Sequence, residues 1–305
     1  MRFAAVIVLA ILLVPVVAVA GPLEDGKAAF ARHDYQTGLK LLLPLAAQGN
    51  AEAENIFGYS YEKGFGVNKD DAESAAWYKH SAERGNAAAQ CEIALMYDSG
   101  FGMPKDHDEA VKLFQTAAEQ GNVAAQFYLG GMYEENRGGV PQNEAEAFRW
   151  YLAAAKQGDN SAQKAAALMY EFGKGTPQDY IEAAKWYRKA AEQGDGSGQL
   201  ALGLLYAHST PANLEQAYAW LSVAVTLNNT DAGFARNEVT KLLSPSALVE
   251  AGKLSTRYIA TYGHLAPVPL MPDCEADLSI SAGVRTAPDN EAPAPAEATG
   301  KPETK

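Results

Sequence analysis

AAAQCEIALMYDSGFGMPKDHDEAVKLFQTAAEQGN, residues 87–122, decides the reading of this chain because it returns with small changes before and after itself. Residues 51–86, 123–159, 160–195 and 196–230 fall into register with it, with one inserted residue in the 123–159 copy and a short gap in the last. Trp77, Trp150, Trp186 and Trp220 then share a column, with Leu113 there in the 87–122 copy, while Tyr61, Tyr97, Tyr133, Tyr170 and Tyr206 fill another. A fixed period near 36 residues marks stacked supersecondary units, none of which can bury its apolar face alone.

Each unit spells two helices. Ala89, Ile93, Ala94, Met96 and Tyr97 recur at helical spacing. Gly58, Ala94, Gly130, Ala167 and Gly203 keep one slot small, so another backbone can come close. Glycine turns such as Gly100-Phe101-Gly102 and Gly173-Lys174-Gly175 stop the first helix, because glycine takes positive φ without a Cβ clash. The second helix opens on Asp70…Glu73, Asp106…Glu109, Asn143…Glu146, Asp179…Glu182 and Asn213…Gln216, which predict capping boxes. Ala147, Trp150, Tyr151, Ala154 and Ala155 then form an alanine-backed stripe that places the tryptophan column in the core, and Gly85, Gly121, Gly158 and Gly194 close the helix.

The pattern A-x-A-Q…Y-x-x-G-x-G…D-x-x-E-A…W-Y…A-A-x-Q-G-N/D resembles the Sel-one-like repeat, a relative of the tetratricopeptide repeat. The resemblance implies an all-α, right-handed α/α superhelical solenoid of helix-turn-helix repeats that binds other proteins. The copy at 196–230 departs from the pattern, with His208-Ser209-Thr210-Pro211-Ala212 in place of the Gly-x-Gly turn and Asn228 in place of the closing glycine. The extra residue within Glu134–Val140 predicts a protruding loop.

Outside these five units, residues 21–50 read as a degenerate N-terminal repeat, with Asp34 in the capping column and Leu41 in place of tryptophan. Residues 231–264 read as a capping helix pair, the second helix begun by Ser244 and Pro245. Residues 265–305 lose periodicity and become an acidic Pro/Ala-rich tail, expected to be disordered. Met1-Arg2, the uncharged run Phe3–Ala20 and the Ala18-Val19-Ala20 ending read as a signal peptide over 1–20, cleaved before Gly21, with an uncleaved anchor as the competing reading. Cleavage would leave no membrane span and a periplasmic or secreted protein. Cys91 and Cys274 are equally compatible with one bridge or two free thiols.

The formal charge of −12 excludes nucleic acid as a partner, since that needs a basic face. Residues 51–159 hold 18 acids against 9 Lys and Arg, which suits either solubility or a basic partner protein or peptide. No phosphate loop, dinucleotide fingerprint or metal-ligand spacing occurs, so neither a cofactor nor a metal is expected and no residue is assigned to catalysis. Ser161-Ala162-Gln163-Lys164 has the Ser-x-x-Lys form of a penicillin-recognising nucleophile, and a β-lactamase-like or cell-wall-directed hydrolase is the alternative function. Its Ser-Asp-Asn and Lys-Thr-Gly companions are missing.

The expected partner site is the concave face, which the resemblance assigns to the first helices. It would expose Asn55, Tyr59, Cys91, Leu95, Phe127, Lys164, Leu168, Leu200 and Leu204 as a mostly apolar stripe, with Phe127 as an anchor outside the repeat core. The acids Glu62, Asp98, Glu134 and Glu171, each next to a column tyrosine, either accept amides of the glycine turns or form an acidic ligand edge.

Overall fold

The computed structural model describes residues 21–264 and residue 274, so the signal-peptide reading and the rest of the tail lie outside the described residues. Fourteen helices and no strands are found among them. The leading unit is α1 (Pro22–Ala31) and α2 (Tyr35–Ala47). Unit 1 is α3 (Ala51–Lys63) and α4 (Asp71–Glu83), unit 2 is α5 (Ala87–Ser99) and α6 (His107–Glu119), and unit 3 is α7 (Val123–Glu135) and α8 (Glu144–Lys156). Unit 4 is α9 (Asn160–Phe172) and α10 (Tyr180–Glu192), and unit 5 is α11 (Gly196–His208) and α12 (Leu214–Thr226). The terminal pair is α13 (Thr230–Leu242) and α14 (Pro245–Tyr262). Each helix packs on the one before and after it in the chain from α1 to α13, and α14 turns back onto α12, giving an all-α solenoid.

The helix ends follow from side-chain chemistry. Asp70, Asp106, Asn143, Asp179 and Asn213 each accept an amide from the first turn of the second helix. The reciprocal half of the capping box is not what satisfies the cap's own amide. Asp70, Asp106, Asn143, Asp179 and Asn213 donate that N–H to the carbonyls of Tyr61, Tyr97, Tyr133, Tyr170 and Tyr206. Glu109, Glu146 and Glu182 are thereby released to pair with Lys112, Arg149 and Lys185 one turn on. The first helices are capped as well, by Asn50, Asn86, Asn122, Asp159 and Asp195. The N/D that closes each sequence unit is therefore the N-cap of the next.

Two contacts fix the spacing within and between units. Within a unit, the small slot receives the residue after the tryptophan column: a Cβ on Gly130 would lie 2.8 Å from the Tyr151 ring. Between units, the second glycine of each turn presses on the start of the preceding second helix. Gly175 sits at φ +65° and a Cβ there would be 2.1 Å from the Glu144 carbonyl oxygen, so both the conformation and the clearance exclude a side chain. The longer loop of unit 3 makes the same contact and does not protrude. Gly138 packs against Val111, Val140 is buried, and Arg137 Nη1 reaches Asp98 Oδ2 at 3.4 Å.

A buried glutamine ladder joins successive units. Gln90, Gln126, Gln163 and Gln199 each donate to an alanine carbonyl in the preceding second helix. The first three receive a hydrogen bond in return from Gln120, Gln157 and Gln193. In unit 1 the same positions hold Glu54 and Arg84, paired at 3.0 Å.

Cys91 and Cys274 form a disulfide across a sequence separation of 183, and both are buried beside Ala94 and Leu129. The bridge settles the pairing left open by the sequence and corrects the tail reading at residue 274, which packs against the solenoid and whose carbonyl accepts from Asn122 Nδ2 at 3.3 Å. In the chain-entropy model a loop of that size disfavours the unfolded state by roughly 5 kcal/mol.

Candidate interaction surfaces

The first helices of neighbouring units meet directly at α3–α5 and α11–α13. Along them Tyr59, Leu95, Phe127, Leu200 and Leu204 are half-buried and Leu168 is 38% exposed. The stripe is narrower than expected. Asn55 and Cys91 are buried, the latter by its bridge, and Lys164 is occupied. Phe127 is not a free anchor: its ring lies 5.5 Å from Tyr151 and 5.8 Å from Tyr128, and it flanks two core clusters. Most of its surface already serves the packing of units 3 and 4.

The acidic row makes contacts that neither reading of the sequence contains. Glu62, Glu134 and Glu171 accept from the hydroxyls of Tyr78, Tyr151 and Tyr187, at 3.0, 2.9 and 2.9 Å, and so latch the two helices of one unit together. Burial first, and then the facing carboxylate, push the Tyr151 and Tyr187 phenols well above their ordinary range, so they remain donors at any physiological pH. The partners change together. Where the ring is Phe114 the acid is Asp98, which turns to His107 Nδ1 at 3.0 Å and to Arg137; where it is Leu221 the acid is Ala207. The signal was present in the sequence as paired columns, but it links positions 16 or 17 apart, beyond the reach of helical periodicity.

Trp150, Trp186 and Trp220 are buried and Trp77 is half-buried against Phe57, so the column presents no open ring platform. Lys164 Nζ lies 2.7 Å from Asp195 Oδ2, and Asp195 caps α11. The ammonium is thus paired with the carboxylate that caps the next unit, and the hydrolase alternative is not supported. Among the described residues no cluster of His, Cys, Asp and Glu is placed to hold a metal, and no helix is long and apolar enough to cross a membrane.

The Sel1 repeat model matches five consecutive segments, residues 51–86, 87–122, 123–159, 160–195 and 196–229. A crystal structure of a Sel1 repeat protein from Oxalobacter formigenes is similar at 30% identity, covering 77% of this chain and 99% of that one, with a TM-score of 0.64. A protective antigen of uropathogenic Escherichia coli that displays an SLR fold is similar at 28% identity over 79% of this chain and 68% of that one, with a TM-score of 0.33. No curated protein gives a significant match.

Proposed function

Because the chain belongs to the Sel1 repeat family, whose members are generally protein-interaction scaffolds, we propose that it is an exported scaffold or regulator that holds another protein or peptide along its first helices. The observation that carries this reading is the row of incompletely buried apolar side chains on consecutive first helices, with Leu168 the most open among them. Stacking makes such a row long and preformed, so a partner is ordered while the solenoid need not be. The contact at residue 274 supports it: the side-chain amide of Asn122 already holds the carbonyl of Cys274, a residue of the core cluster that Leu95 flanks.

A basic partner is favoured by the charge of units 1 to 3 as a whole. Asp98 and Glu134 contribute to that field without being free ligands, since both are engaged within the molecule. Export rests on the first twenty residues and predicts a mature N-terminus at Gly21. Crosslinking in cells followed by mass spectrometry tests the site. Crosslinks should map to the first helices and fall away in Leu168→Glu, a position open enough to leave the helical circular dichroism unchanged. Undiminished crosslinks in that variant would overturn the inner-face reading.

A further inference from the structure

The turn that seals the start of each preceding second helix is missing once. Gly66, Gly102, Gly138 and Gly175 press on α2, α4, α6 and α8, but unit 5 leaves its first helix through Ser209-Thr210-Pro211, and Ser209 is extended where the other turns are left-handed. The start of α10 is thus uncovered, and a cleft of about 730 Å³ lies between it and residues 205–213. The residues at that uncovered end are more apolar. Where the turn presses down, the first two helical residues are Tyr35-Gln36, Asp71-Ala72, His107-Asp108 and Glu144-Ala145; here they are Tyr180 and Ile181, 52% and 71% exposed, and the branched apolar side chain at the second position has no counterpart in the others.

We propose that this cleft docks an extended partner segment that presents an aromatic side chain flanked by carboxylates. The aromatic part has a precedent in the same molecule. Tyr35, which occupies on α2 the position that Tyr180 occupies on α10, is covered by Phe65 of the next unit's turn, stacked at 4.4 Å with the rings 3° from parallel. Nothing in unit 5 supplies that ring, and Ile181, Leu205 and Pro211 complete an apolar seat for one from outside.

The acidic part follows from charge. Lys185, Arg188 and Lys189 line the cleft on one face of α10, against Glu192 in the lining and Glu182 paired with Lys185 at 2.5 Å. Arg188 donates to the Tyr206 hydroxyl and Lys189 stacks over Trp186, so both cations are held in place at the rim. Glu192 is the one anion in the lining, and its carboxyl faces the Arg188 and Lys189 cations. Residues 160–264 carry nine acids and nine Lys and Arg, whereas residues 51–159 are strongly acidic, so a carboxylate-bearing segment is repelled by units 1 to 3 and accepted here.

The site lies between α10 and the end of α11, includes none of the inner-face stripe residues, and so stands apart from the inner-face reading. Selection of a random dodecapeptide phage library on the full-length protein, with Ile181→Asp as the counter-target, tests it. Enriched peptides should carry an aromatic residue with Asp or Glu beside it. A synthetic peptide from that pool should lose about tenfold in affinity to Ile181→Asp and to Lys185→Glu with Lys189→Glu, while binding Leu168→Glu as it binds wild type. Failure to enrich peptides dependent on Ile181, enrichment of basic peptides, or loss of binding on Leu168→Glu instead would overturn the proposal. All the substituted side chains are exposed, so circular dichroism should report an unchanged fold.

Discussion

Units 4 and 5 stack through the same columns, yet their two helices are held together by different means. In unit 4 the Tyr187 hydroxyl donates to Glu171, Gln193 donates to Gln163, and Gly173 and Gly175 shape the turn. In unit 5 tyrosine and acid are replaced together by Leu221 and Ala207, and the fit of that leucine against Gly203, where a Cβ would meet it at 2.7 Å, does the work of the hydroxyl. The glutamine ladder is only half removed. Leu227 stands where Gln193 stood, and Gln199 Oε1 is buried with no hydrogen-bond partner among the described residues. A polar link exchanged for apolar groups at both ends can be nearly neutral, whereas one exchanged at a single end leaves a desolvated atom behind. The stack therefore depends on shape, and its polar links are separable from it.

The largest expected effect lies where the two units agree. Trp220 is 1% exposed and stacks with Tyr262, so Trp220→Ala should cost roughly 3–5 kcal/mol in urea denaturation, and Trp186→Ala a similar amount. A loss under 1 kcal/mol would show that the column is not what holds the units. Next, Gly175→Ala should destabilise by about 2 kcal/mol, combining a left-handed residue with a Cβ driven into the Glu144 carbonyl. Ser209→Gly should cost less, since it forces no backbone clash and removes only the hydroxyl's bonds to the Tyr206 and Pro211 carbonyls.

Tyr187→Phe should cost about 1 kcal/mol by removing the donor to Glu171, and Tyr187→Leu with Glu171→Ala should cost less than its single changes summed. Additive losses would mean that the paired exchange in unit 5 is coincidental. In the opposite direction, Leu227→Gln should stabilise by about 1 kcal/mol by giving Gln199 Oε1 the donor it lacks.

The smallest effect is pH-dependent. Burial, opposed by the Ala162 amide and by Lys164, holds the Asp159 carboxyl above its ordinary range. The native state then binds protons more tightly than the unfolded chain, and stability falls as the pH rises from the unfolded pKa through the folded one. Asp159→Asn, the cap used by units 1 to 3, should therefore gain under about 1 kcal/mol near neutrality, and the gain should vanish in acid below that window. A thermal-melt series in pH checks this.

The solenoid was legible because its period is local: tryptophan, capping and glycine columns announce two helices per unit without knowledge of how units meet. What escaped involves partners from different helices. The Glu–Tyr latch joins the end of one helix to the middle of the next, the glutamine ladder joins adjacent units, and the disulfide joins positions far apart in sequence. Phe127 was misjudged for the same reason, since a first-helix column alone does not reveal the Tyr151 ring from the following helix. The cleft on α10 could be suspected only from an absence, the missing turn of unit 5, combined with the apolar Ile181 at the start of the helix.

The bridge between Cys91 and Cys274 also determines how the molecule would carry a load. If tension is applied between the two ends of the chain, the force enters at the leading unit, runs through unit 1 to Cys91, and crosses to Cys274 without passing through units 3 to 5 or the terminal pair. Those helices are shunted out of the mechanical circuit. Extension is confined to the chain before residue 91 and after residue 274 while the bridge is oxidised, and its reduction would release roughly 600 Å of further contour length.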